Sequence, residues 1–180
     1  SLILADEPTT ALDVTVEGQI LNLVSNLQEE YGTSFVWVTH DLAVVADICD
    51  RVNVMYLGQM AEQADVHDLF DNTKHPYTEA LLQSVPRPDK TVESLTPIEG
   101  VMPEAINPPS GCRFHPRCPD AREVCREVNP EPRNVSDTDN RHNAACVKHD
   151  VFDVDYEHST PIQSEGDEFG EDLQVTEGSR

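Results

Sequence analysis

The chain has 180 residues, of which 34 are acidic and 12 are basic, and its formal net charge is −22. This balance argues against a surface that binds nucleic acid through its phosphates, and against docking on anionic lipid through a basic patch. The sequence contains no run of about 18 apolar residues, so it predicts no membrane-spanning helix.

The excess negative charge is spread along the chain, which contains only three lysines, Lys74, Lys90 and Lys148. Dense carboxylates with little lysine favour a halophilic protein, because salt screens the self-repulsion of the carboxylates. The alternative is an ordinary protein with one acidic tail.

The first half of the chain alternates between strand and helix patterns. Residues 2–5 form a short apolar run that predicts a buried strand, and Pro8 ends it. Residues 14–31 place apolar side chains on one helical face, and Gly32 is a suitable helix stop. An apolar run at 35–39 predicts the second strand. A buried parallel strand needs neighbours on both sides, so we expect the chain to be a fragment of a larger domain.

A second helix and a strand pair are predicted next. Asp41 is a natural N-cap for a helix over 42–49, and residues 52–57 predict a third strand. Gly58 and Gln59 are suitable turn residues before a strand at 60–64. Alternation of strand and helix predicts an α/β fold with a parallel sheet.

The second half is less regular. Short helices are predicted at 66–72 and 76–85, followed by a proline-rich linker at 86–109. Residues 150–180 hold ten acidic residues and one arginine with few large apolar groups, so we expect this tail to be disordered.

Two adjacent carboxylates, Asp6 and Glu7, follow the first strand directly. Ligands of open α/β sheets bind just beyond the carboxyl ends of the strands. Because neighbouring residues of a strand point to opposite sides, one carboxylate can hold Mg²⁺ while the other polarises an attacking water.

Four cysteines, Cys112, Cys118, Cys125 and Cys146, follow the spacing C-x5-C-x6-C-x20-C. Structural zinc sites usually have cysteine pairs two to four residues apart, so these wider gaps make a zinc ribbon the second choice. Four thiolates also suit a [4Fe–4S] cluster. Reduced, unliganded thiols are the third alternative.

The residues after the first strand read Asp6-Glu7-Pro-Thr-Thr-Ala-Leu-Asp13, and His40 follows the second strand. In order and spacing they resemble the ATP-binding cassette ATPases of ABC transporters. The resemblance implies that Asp6 holds Mg²⁺, that Glu7 is the catalytic carboxylate and that His40 is the switch histidine at the γ-phosphate of ATP. It also implies that Asp13 contacts the facing ATPase subunit, although a helix cap is an alternative role for this residue.

The phosphate-binding pattern Gly-x4-Gly-Lys-[Ser/Thr] and the family's Leu-Ser-Gly-Gly-Gln signature are both missing from the sequence. We therefore expect a C-terminal part of a P-loop, RecA-like ABC ATPase domain that does not hydrolyse ATP by itself.

Residues 75–82, His-Pro-Tyr-Thr-Glu-Ala-Leu-Leu, resemble the C-terminal extension of oligopeptide and dipeptide importer ATPases. This subfamily implies an ATPase subunit that powers peptide uptake and works with a second, identical or paralogous ATPase subunit. Its other partners are transmembrane permease subunits and, indirectly, an extracellular peptide-binding protein. The expected location is the cytoplasmic face of the membrane, as a peripheral protein. Related importers carry dipeptides, longer peptides or nickel, and some members hold an iron–sulfur cluster on the four cysteines.

The resemblance and the composition together predict four segments. They are the ATPase part (1–72), the oligopeptide-transporter extension with its linker (73–110), a small irregular four-cysteine domain (111–149) and the acidic tail (150–180). The alternative function is a metal-cluster regulatory module with a vestigial ATPase part.

Overall fold

The computed structural model describes residues 1–84, 98, 100–103, 105–136 and 141–162. The chain forms two compact units, residues 1–52 and 53–180, and each is described here by itself. The described residues leave out the end of the predicted helix (85) and much of the predicted linker (86–97, 99 and 104). They also leave out residues 137–140 of the predicted four-cysteine domain and the end of the predicted acidic tail (163–180).

The first unit contains a two-stranded parallel sheet and two helices. In chain order they are β1 (Leu2–Asp6), α1 (Val14–Tyr31), β2 (Ser34–Val38) and α2 (Leu42–Ile48). The register of β1 and β2 runs from Leu2 opposite Ser34 to Asp6 opposite Val38, so both strands end at the same edge. The strand–helix–strand order predicted for this part is confirmed.

Helix α1 begins and ends where its capping residues predict. The Asp13 side chain accepts a hydrogen bond from the backbone N–H of Val16, and Gly32 adopts a left-handed conformation with φ of 59°. The N–H of Gly32 donates to the carbonyl of Gln28 and closes the last turn. Leu21 and Val24 are the buried residues of this helix.

Strand β1 is less buried in the structure than its sequence predicts. Leu4 is 75% exposed and Leu2 is 64% exposed. The physical reason is that, within the described residues, β2 is the one strand that pairs with β1.

The second unit is built on a four-stranded sheet with the order β3-β4-β6-β5. Its strands are β3 (Arg51–Tyr56), β4 (Gln59–Asp65), β5 (Arg133–Asn134) and β6 (Asn143–Ala144). Strand β6 pairs antiparallel with both β4 and β5. The third predicted strand therefore belongs to this sheet, and among the described residues the parallel pairing is restricted to β1 and β2. Alternation along the sequence indicates strands but does not identify their partners.

The turn between β3 and β4 lies one residue earlier than the sequence predicts. Leu57 and Gly58 both have positive φ values, 45° and 77°, as a two-residue type I′ turn requires. Glycine adopts this conformation at little cost, whereas Leu57 carries the strain of a side chain in the left-handed region.

Two short helices follow the strand pair, α3 (Val66–Asp71) and α4 (Pro76–Gln83). Pro76 occupies the first turn of α4, where its missing N–H removes no helical hydrogen bond. The His75 side chain accepts a hydrogen bond from the N–H of Tyr77 and caps the helix.

A buried carboxylate connects β4 with the start of α4 and with β6. Glu62 is 0% exposed and His142 is 1% exposed, and the Glu62 Oε1 to His142 Nε2 distance is 2.6 Å. The two Glu62 oxygens also accept the backbone N–H groups of Lys74 and His75, at 2.7 and 3.0 Å. Segments far apart in sequence thus meet at one buried side chain.

The cysteine-containing segment has little regular structure but its own small cores. It contains a 3-10 turn (His115–Arg117) and the one-turn helix α5 (Val124–Glu127). Phe114 packs with Tyr56, Cys118 and Ala121 in one cluster, and Cys125, Val147 and Phe152 form another.

The first part of the predicted disordered tail is packed in the structure. Phe152 is 7% exposed in the second cluster, and the N–H of Ile162 donates to the carbonyl of Ala121. The acidic composition of 150–162 suggested disorder, but a few apolar side chains and backbone hydrogen bonds are enough to dock this stretch.

Candidate functional site

The parallel pairing of β1 and β2 brings Glu7 and His40 together. Glu7 follows the last residue of β1, and its backbone N–H donates to the carbonyl of Val38 at 2.8 Å. His40 lies two residues beyond Val38. Since the carboxyl ends of both strands lie at one edge, side chains 33 positions apart in sequence come into contact.

The two side chains form a hydrogen-bonded pair with His40 open to solvent. His40 Nδ1 lies 2.7 Å from Glu7 Oε1, and the side chains are 81% and 37% exposed, respectively. Hydrogen bonds from Thr10 and then from His40 lower the pKa of Glu7. The hydrogen bond to Glu7 raises the pKa of His40. Glu7 is therefore an ionised acceptor at neutral pH, and the contact favours the protonated, donor form of the His40 imidazole.

Glu7 has an unusual backbone conformation for a residue with a side chain. Its φ is 47°, and Ala11 in the same loop has φ of 64°. Left-handed residues other than glycine are uncommon and gather at functional sites, where the surrounding structure holds them. Here the holding contacts are the N–H of Thr10 to the carbonyl of Glu7 (3.1 Å) and the N–H of Leu12 to the carbonyl of Thr9 (3.1 Å).

The other two residues predicted for this site lie near the pair on the chain. Asp6 is the last residue of β1 and is exposed. Asp13 is also exposed, and its side chain caps α1 through the N–H of Val16 at 2.9 Å. Among the described contacts, neither aspartate hydrogen-bonds to Glu7 or His40. The structure thus joins Glu7 and His40 directly and leaves Asp6 and Asp13 available to solvent.

Sequence reasoning overlooked one participant, Thr10. Its hydroxyl donates to Glu7 Oε2 at 2.5 Å, so both oxygens of the Glu7 carboxylate have a partner. The sequence does place a hydroxyl side chain three residues after an acid that directly follows a strand. A tight loop can bring two residues at this spacing into contact.

This arrangement has the parts needed to activate water beside a phosphate. An ionised carboxylate with fixed orientation can accept a proton from water, and an adjacent imidazole can donate to an oxygen that gains charge. Asp6, an exposed carboxylate at a strand end, offers the oxygen ligand that Mg²⁺ prefers.

The second unit gathers the four predicted metal-binding cysteines around one cavity. Cys112, Cys118, Cys125 and Cys146 all line it, together with Phe114, Lys148 and other side chains. The cavity volume open to the centre of a water is about 20 Å³. His115 also lines this cavity, whereas His142 is bound to Glu62 elsewhere.

Burial keeps these thiols protonated unless a cation compensates their charge. It raises the pKa values of Cys118 and Cys146 to about 12, and it raises those of Cys112 and Cys125 as well. No group of three or more His, Cys, Asp or Glu side chains among the described residues is arranged to hold a metal ion. The cysteines therefore converge, and the metal centre stays a prediction.

Within the part of the chain that the structure describes, no helix has the length and apolar character to cross a membrane.

Comparison with known proteins identifies the family. Residues 61–125 match the family model described as "Oligopeptide/dipeptide transporter, C-terminal region". The chain is 46% identical over 148 residues to the oligopeptide transport ATP-binding protein AppF of Bacillus subtilis, which covers 81% of this chain and 44% of AppF. It is 52% identical over 129 residues to AppD of the same organism, covering 72% of the chain and 39% of AppD.

A third relative is the oligopeptide transport ATP-binding protein OppF of Escherichia coli. It is 45% identical over 152 residues, which is 83% of this chain and 44% of OppF. The chain thus spans less than half the length of the curated relatives that it matches. These matches show that the chain belongs to the family of oligopeptide and dipeptide transport ATP-binding proteins.

Proposed function

We propose that the complete protein is the ATP-hydrolysing subunit of an ABC importer that powers uptake of dipeptides or oligopeptides. The observation that carries the proposal is the contact between Glu7 and His40 at the carboxyl ends of two parallel strands. The names of the relatives, which are peptide transport ATP-binding proteins, support the substrate class.

The geometry suggests a role for each residue at this edge. Glu7 accepts a proton from the water that attacks the γ-phosphate of ATP, because hydrogen bonds hold its carboxylate ionised. His40 uses Nδ1 to contact Glu7, which leaves Nε2 to donate to a γ-phosphate oxygen. Asp6 holds Mg²⁺, which neutralises charge on the phosphates.

Asp13 is proposed to contact a facing ATPase subunit, identical or paralogous. The exposure of Asp13 and of the neighbouring Leu12 and Val14 (42% and 85%) is consistent with a surface that a partner covers. The further partners are transmembrane permease subunits and, through them, an extracellular peptide-binding protein. The protein would then work at the cytoplasmic face of the membrane.

The test of this function is Glu7→Gln in the complete ATP-binding subunit, assembled with its partner subunits. Removing the proton acceptor while keeping the side-chain shape should lower turnover at least about 100-fold and preserve ATP binding. The matched control is Glu30→Gln, because Glu30 is an exposed residue near the C-terminal end of α1. This variant should leave turnover unchanged. Turnover that persists in the Glu7 variant would contradict the proposed role.

The 180-residue chain itself gives a second test. The sequence lacks the glycine-rich phosphate-binding pattern, so we expect the purified chain to show no ATP turnover. Normal turnover by this chain would contradict the division of the site between Glu7 and phosphate-binding residues outside it.

We also propose that the four cysteines hold a metal centre, with a [4Fe–4S] cluster as first choice and Zn²⁺ as the alternative. The convergence of four thiols on one cavity supports this proposal. The donor set fits either centre.

The measurement is anaerobic purification followed by iron, sulfide and zinc analysis and an absorbance scan. Cys118→Ser should lower the bound metal, whereas Cys49→Ser, a half-buried thiol outside the cavity, should leave it unchanged. A colourless protein with one zinc per chain would rule out the cluster and support zinc. A protein free of both metals would refute the metal centre.

A further inference from the structure

The carboxylate of Glu7 is held at both of its oxygens by different residues. His40 Nδ1 contacts Oε1 at 2.7 Å, and the Thr10 hydroxyl donates to Oε2 at 2.5 Å. The terminal torsion of a glutamate is broad, so a carboxylate with one partner can rotate about its own axis. Two partners on opposite oxygens define one orientation.

Thr10 is itself fixed by the loop that it serves. Its backbone N–H donates to the carbonyl of Glu7 at 3.1 Å, so Thr10 and Glu7 are linked through both backbone and side chain. Thr9, the residue before it, is 7% exposed and anchors the loop in the unit. The hydroxyl is therefore already in place and loses little freedom when it binds the carboxylate.

We propose that Thr10 is a positioning residue for ATP hydrolysis, whose hydroxyl fixes the Glu7 carboxylate in the orientation that activates water. The inference rests on the proposed ATPase function and adds a residue to its machinery. Thr10 contacts the reacting groups only through Glu7, so it is not a catalytic residue itself.

The test compares Thr10→Val with Thr10→Ser in the complete subunit, assembled with its partners. Valine keeps the shape without the hydroxyl, and serine keeps the hydroxyl. We expect valine to lower kcat about tenfold, the loss of one hydrogen bond to a charged group, with KM for ATP unchanged. Serine should restore turnover.

The matched control is Thr15→Val, an exposed threonine in the first turn of α1. It should leave kcat and KM for ATP as in the parent. Thr10→Ala provides a second hydroxyl-free variant, and retained ATP binding shows that each variant is folded.

Two results would overturn the inference. One is wild-type kcat in both hydroxyl-free variants, and the other is an equal loss of kcat in the serine and valine variants. Glu7→Gln separates this test from that of the function itself. If the Glu7 variant is inactive while Thr10→Val behaves as the parent, only the Thr10 inference fails. If the Glu7 variant turns over, the proposed function fails first.

Discussion

Removal of the buried Glu62 carboxylate should cost the second unit a large part of its stability. Glu62 is 0% exposed and accepts hydrogen bonds from the N–H groups of Lys74 and His75 and from His142 Nε2. Glu62→Ala leaves three donors without their acceptor, two of them backbone groups that cannot rotate away.

The magnitude follows from these contacts. Each unsatisfied buried donor costs about 1–3 kcal/mol, and the substitution leaves the three donors to Glu62 without their acceptor. We therefore expect a loss of about 4 kcal/mol in the free energy of unfolding. Since whole domains are stable by about 5–15 kcal/mol, this is a large fraction of the total.

The assay is urea unfolding of the chain followed by far-ultraviolet circular dichroism, with the slope of the transition checked for constancy. His142→Ala should lose less than Glu62→Ala, because Glu62 keeps both backbone donors. Glu123→Ala is the control, since Glu123 pairs with Arg126 at the surface and such pairs contribute about 0–1 kcal/mol. A loss at Glu62 within about 1 kcal/mol of that at Glu123 would refute the reasoning.

Three further predictions concern pH, capping and salt. Burial lowers the pKa of His75 to about 4, so the unfolded chain takes up a proton between about pH 6.5 and 4 that the folded chain does not. The contribution of His75 to the free energy of unfolding should therefore be fully present above about pH 6.5 and smaller by about 2 kcal/mol at pH 5. Urea titrations at several pH values should show a weaker pH dependence for His75→Gln. Asp13→Ala should remove the cap of α1 and lower the free energy of unfolding by about 1 kcal/mol. Asp13→Asn should retain most of the capping free energy, because asparagine also accepts a hydrogen bond at this position. An equal loss in both variants would contradict the capping role. With a net charge of −22, the chain should melt at higher temperature in about 1 M than in about 0.1 M KCl, and an unchanged or lower melting temperature would contradict the halophilic interpretation.

Local patterns in the sequence determined the helices and the chemistry of the β1 edge. Asp13 and Gly32 bound α1 because a short acceptor side chain and a left-handed glycine satisfy helix ends wherever the chain goes. The predicted Glu7 and His40 lie together because each lies just beyond the carboxyl end of a strand of the same parallel pair.

Long-range pairing was decided only by the tertiary structure. Strand β3 joins β4, β6 and β5 rather than β1 and β2, and Glu62 meets His142 across 80 positions of sequence. The hydrogen bond from Thr10 to Glu7 depends on the positive φ of Glu7. The sequence gives no sign of a positive φ at a residue other than glycine. The acidic stretch at 150–162 packs because Phe152 lies in a hydrophobic cluster with Val147 and with Cys125, which is 27 positions earlier in the sequence. Residue spacing specifies which groups are present, whereas strand partners and loop conformations are set by contacts among many segments at once.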